Sequence, residues 1–192
     1  MALLDQPVRD FLDEIAAAGT TPAGGSVAAL VSACAAALLA KIARASSGWS
    51  ESTGVAAQAD SLRERATALV QEVAEEYEAA LRARADESEA AGPRRDFALG
   101  RAYARAAEPP LQLARLAADV AQLAVVVAQN SDPALRADAV TAASLAAGAA
   151  GAAAELVAVN LTASATDPRV KEARQLEEDA ARAAAEARAA RE

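Results

Sequence analysis

Apolar positions recur at helical spacing along most of this chain. Val8, Phe11, Leu12 and Ile15 fall three, one and three residues apart, which predicts one buried face of a short helix over residues 5–18, ended by Gly19. The stretch TTPAGGS then gathers turn formers and places Ser26 as an N-cap ahead of a long apolar helix over 27–45. SSGWSESTG reads as a loop. Over 55–88, Leu62, Leu69, Val73, Tyr77 and Leu81 alternate with abundant charge, the mark of a long amphipathic helix with one wet face. AAGPRRD breaks the chain, a helix carrying Phe97, Leu99 and Tyr103 follows, and Pro109 with Pro110 forces a restart before LQLARLAADVAQLAVVVAQ. NSDP marks the next turn and helix start. Between 109 and 166 the only charged residues are Arg115, Asp119, Asp132, Arg136, Asp138 and Glu155, so the two helices there are expected to form the core hairpin. Residues 167–192 mix acids and bases among alanines, an amphipathic helix with few large anchors whose end is expected to fray unless covered.

Composition turns this pattern into a fold class. With 61 alanines in 192 residues and 3% aromatics, the chain lacks the side chains of an extensive sheet and predicts an all-α, single-domain bundle of five to seven helices. Against 27 acids stand 19 bases, a net charge of -8 that repels phosphate backbones, so no nucleic-acid partner is expected. Between Glu14 and Lys41 no residue is charged, but the turn and the alanines of that span favour a buried helix over a membrane span. Acids precede any long apolar stretch, so no leader is visible and a cytoplasmic location is expected. There is no histidine, which removes the commonest metal ligand and general base; no metal site is expected. The single cysteine, Cys34, sits in VAALVSACAAALLA and reads as a small buried hydrophobe.

Three places can carry chemistry. Residues 20–26 put two glycines and free helix-start amides where an anion or polar group could approach, although an ordinary capped turn has the same composition. Gly148 and Gly151 each cost about 1 kcal/mol inside a helix, which close helix contact or room for a flat ligand would offset. Asp138 lies in a segment nearly free of charge and could equally form an ion pair with Arg136 or Arg101. Glu75 and Glu76 flank Tyr77 on the amphipathic helix and could equally be solvated.

These elements resemble the cyclodeaminase/cyclohydrolase family, which comprises the C-terminal domain of formiminotransferase-cyclodeaminase and the stand-alone methenyltetrahydrofolate cyclohydrolases. Over 11–161, FLDEIAAAGTTPAGGSVAALVSACAAALLA resembles the family's short helix, glycine turn and small-residue helix. EPPLQLARLA resembles its Val-Pro-Leu helix start, and RADAVTAASLAAGAAGAAAELVAVNL its Ser-Asp segment closing on Asn-Leu. The resemblance implies a helical homodimer with a folate groove near the dimer interface. It implies substrate-binding roles for Pro22, Gly24, Gly25, Ser26 and Asn160, and catalytic roles for Asp138 and for Glu76, which falls where the family has an aspartate. Ala23, Ala137 and Leu156 replace a glycine, a serine and an asparagine of the pattern, and SSGWSES and RARADES replace its Tyr-Gly-basic and Leu-Pro-Lys segments.

The implied activity is carboxylate-assisted water addition to methenyltetrahydrofolate, or cyclisation of a formimino-folate, with the folate as substrate and no further cofactor. The alternatives are a diverged pocket for a non-folate cyclic imine or amidine, and a non-catalytic helical dimer module.

Overall fold

The computed structural model describes residues 2–86, 92–162 and 166–190. Among these residues the protein is all-helical: α1 (Val8–Ala16), α2 (Gly24–Ala45), α3 (Ser52–Ala85), α4 (Pro93–Ala106), α5 (Glu108–Asn130), α6 (Arg136–Asn160) and α7 (Pro168–Ala189). A 3-10 turn, Pro133–Leu135, stands before α6, and the Asp132 carboxylate opens it by accepting the Ala134 N–H at 2.9 Å.

Alanine sets the architecture. Small side chains let helix axes approach closely, so the interior is built from alanine ridges on α2, α5 and α6 with Leu39, Ile42, Leu113, Leu116, Val120 and Val127 filling between them. α5 and α6 form the central hairpin, α3 packs along α2, and α7 closes over α5 and α6. The anchors of α7 are Ala173, Ala180, Ala183, Ala184 and Ala187, all buried, so close approach replaces the large side chains its sequence lacks. α2 and α6 run antiparallel: the Lys41 ammonium near the end of α2 meets Asp138 in the first turn of α6, and the start of α2 meets the end of α6.

Several expectations need correction. Ser26 is not the cap of α2, because the helix already begins at Gly24; the Ser26 hydroxyl instead donates to the Val70 carbonyl of α3 at 2.8 Å, a buried rivet between two helices. α3 begins at Ser52 and ends at Ala85, and Ser88 lies outside the described residues. On α1 only Phe11 of the four apolar positions is buried; Val8 and Leu12 are 74% and 57% exposed. Cys34 is exposed, because it lies on the side of α2 that no other element covers.

α6 has an uncovered side as well. Thr141, Leu145, Gly148, Ala152 and Val159 form an exposed stripe at helical spacing. Three stretches are long and apolar enough to cross a bilayer by length and composition, and within the bundle α6 is the least covered of them, with 44% of its most apolar window buried. A Cβ at Gly148 would meet nothing within 4 Å, so neither contact with another helix nor a pocket accounts for that glycine in a single chain. Gly151 has a local reason: Glu177 of α7 lies against it, with Oε1 3.2 Å from where a Cβ would stand.

Candidate functional site

A groove forms where the 20–26 turn, α3 and the end of α6 converge, with the start of α5 closing its floor. Its inner chamber, about 210 Å³, is apolar: Val73, Ala74, Pro110, Leu156 and Val159 are among its lining residues, and among the described residues no charged side chain lines it. A second chamber of about 670 Å³ adjoins it, sharing Tyr77, Val159 and Asn160, and opens between α3, α4 and the start of α7. The outer chamber is the more polar of the two, with Arg84, Asp96, Tyr103, Asp167 and Arg169 on its walls.

The glycine turn builds the inner chamber by two different means. Gly25 is a packing requirement, since a Cβ there would stand 2.2 Å from Val73 Cγ1 and 3.4 Å from Leu156 Cδ1; only a hydrogen lets α2 start so close to α3 and α6. Gly24 meets no protein atom within 4 Å of a Cβ and faces the chamber freely. The Val27 N–H is the first in α2 to bond back, to Ala23 O at 3.1 Å, so the amides of Gly24, Gly25 and Ser26 have no partner within the helix and supply donors at this end of the groove. Pro22, joined to Thr21 by a cis peptide bond, is buried beside the chamber without lining it. Asn160 lines both chambers, and its Nδ2 donates to Ala106 O at 3.0 Å, tying the end of α6 to the end of α4.

The two expected carboxylates lie elsewhere. Asp138 sits at the opposite end of α6, 22 residues from Asn160 and hence about 33 Å away at 1.5 Å per residue. It is half exposed and paired with Lys41 at 3.8 Å, rather than with either arginine expected from the sequence. Glu76 forms an ion pair with Arg105 of α4 at 3.1 Å, and Glu75 accepts a hydrogen bond from Gln71 Nε2 at 2.9 Å; neither lines the groove. Glu78 does not line the chamber either, but it accepts the hydroxyl of Thr21, a turn residue that does, and it pairs with Arg82 one turn along α3 at 3.5 Å. Sequence offered a weak signal for it, since Glu78 lies one residue beyond Tyr77, but nothing short of the fold pairs it with Thr21, 57 residues away.

The mouth of the outer chamber is held by one arginine. Arg169 donates to both Asp167 oxygens, at 3.0 and 2.8 Å, to Ala104 O at 2.9 Å and to Glu108, joining the ends of α4, α5 and α7. These bonds, with the Arg169 N–H as a further donor, hold the Asp167 carboxyl down at about 2.

This geometry has relatives. The family model described as formiminotransferase-cyclodeaminase matches residues 7–185, nearly the whole chain. The chain belongs to the formiminotransferase-cyclodeaminase family. Its fold is also that of the crystal structure of formiminotetrahydrofolate cyclodeaminase from Thermotoga maritima, with a TM-score of 0.86 at 20% identity, covering 98% of this chain and 96% of that one. No curated protein matches the chain. Family membership thus covers the glycine turn, α3, α5 and α6 together, the elements that enclose the groove.

Proposed function

We propose that the protein acts on a one-carbon derivative of tetrahydrofolate, with the bicyclic head in the inner chamber and its bridging carbon beside Thr21. The observation that carries this reading is the Thr21–Glu78 pair at the rim of an otherwise uncharged, apolar chamber. The bridging carbon of methenyltetrahydrofolate is the centre of an amidinium-like cation, which a nearby carboxylate attracts. Thr21 donates its proton to Glu78, so its oxygen is free to accept one from a water. As that water's oxygen bonds to the carbon, its proton passes through Thr21 to Glu78. That proton then passes to the ring nitrogen whose C–N bond breaks, while the hydroxyl of the adduct gives its remaining proton to solvent as its oxygen becomes the carbonyl, leaving a formyl group on the other nitrogen and one proton released overall. Neither histidine nor metal enters this sequence.

Titration with methenyltetrahydrofolate, followed by its absorbance, tests the reading: saturable binding with loss of the chromophore supports it, and no binding at all overturns it. Binding without turnover favours a different cyclic imine or amidine, a reading supported by the lack of any charged side chain around the inner chamber.

We further propose that a second copy of the chain covers the exposed sides of α2 and α6, where Val27, Leu30, Cys34 and Leu38 lie beside the Leu145–Val159 stripe. Light scattering at micromolar concentration reads this directly. A dimeric mass supports it and a monomer at every accessible concentration overturns it.

A further inference from the structure

The outer chamber contains polar groups that the bundle does not use. Arg84, in the last turn of α3, and Asp96, in the first turn of α4, both line it, yet among the described residues neither makes a hydrogen bond or an ion pair through its side chain, with each other or with anything else. The hydroxyls of Tyr77 and Tyr103, both half-buried in the same walls, likewise have no protein partner among the described residues. The remaining charged pair of the chamber, Asp167 and Arg169, is neutralised internally. What is left is one cation, one anion and two phenols around a concave space of about 670 Å³.

Opposite charges that face one cavity without meeting are matched by a ligand carrying both charges in reverse order. The geometry points to the outer chamber as a binding subsite for the zwitterionic end of an α-amino acid, its carboxylate on Arg84 and its ammonium on Asp96, with the tyrosine rings walling its side chain. A chain of carboxylates does not fit this description, because Asp96 cancels what Arg84 attracts. The inference rests on these four side chains alone and is independent of whether a folate occupies the inner chamber.

The test is a titration of the isotope-labelled protein with L-phenylalanine, chosen because its ring can pack on the tyrosine walls, while the backbone amide signals of Gly100 and Tyr103 are followed by NMR. N-acetyl-L-phenylalanine, which lacks the ammonium, and L-phenylalaninamide, which lacks the carboxylate, serve as controls. The expected result is a saturable shift with L-phenylalanine and binding weaker by about tenfold or more for each control. Asp96→Asn is expected to abolish the preference over the acetylated compound and Arg84→Gln the preference over the amide, with both variants as stable as the parent because both sites are exposed. No saturable shift, equal binding of the three compounds, or preferences that survive both substitutions would overturn the proposal. Methenyltetrahydrofolate turnover, measured separately, tests the folate reading without touching this one.

Discussion

The two ends of α6 match the family pattern equally well on paper, Asp138 near one end and Asn160 at the other, and they have different fates in the fold. At the Asn160 end four elements converge and leave a groove; at the Asp138 end one lysine meets one aspartate on an open surface. A rigid helix explains the difference, because 22 residues at 1.5 Å each keep the two ends about 33 Å apart whatever the rest of the chain does. A scarcity of charge around a residue in sequence therefore says little about the space around its side chain. The convergence of helix ends decides that.

The largest effect expected from this contrast is on rate. Glu78→Gln should lower methenyltetrahydrofolate turnover about a hundredfold, within the range usual for acid–base groups. Turnover at the parental rate in this variant would break the assignment of chemistry to the Asn160 end. Next comes stability at the turn. Gly25→Val should cost roughly 1–3 kcal/mol in urea unfolding, because the new side chain must displace Val73, whereas Gly24→Val should keep the parental midpoint and block ligand binding. Equal behaviour of the two variants would mean that the turn does not divide its glycines between packing and access. A smaller effect is expected in acid. Asp167 is held at about 2 in the folded chain against an ordinary value near 3.9, so the stability it contributes is complete above about pH 4 and is lost as pH falls toward 2. Asp167→Asn should flatten that part of the stability curve. The smallest effect belongs to the other end of α6: Asp138→Asn should change stability by less than about 1 kcal/mol, as usual for an exposed pair, and leave turnover at the parental rate.

Helix positions were legible because the alanine-rich pattern leaves few alternatives, and the turn and Asn160, both named by the family motifs, line one groove. Which glutamate meets the turn was not legible. Glu75, Glu76 and Glu78 lie within four residues on one helix; Glu75 bonds Gln71 on that same helix, and only the long-range partners Arg105 and Thr21 set Glu76 and Glu78 apart. Ser26 misled for a related reason: a serine at a helix start looks like a cap, and the Val70 carbonyl that takes its hydroxyl is 44 residues away. Cys34 and Gly148 misled in the opposite sense. A run of small apolar residues predicts burial, and these two lie on helix faces that a single chain leaves open.

The Arg169 clamp has a consequence for the time at which the site comes into being. The glycine turn, α3, α5 and the end of α6 all precede α7 in the chain, so the inner chamber can assemble before α7 docks. The outer chamber cannot, because Asp167 and Arg169 are part of its wall and Arg169 is what draws the ends of α4, α5 and α7 together. A released chain cut before residue 167 would therefore present half a groove, and the full one is finished only when α7 docks.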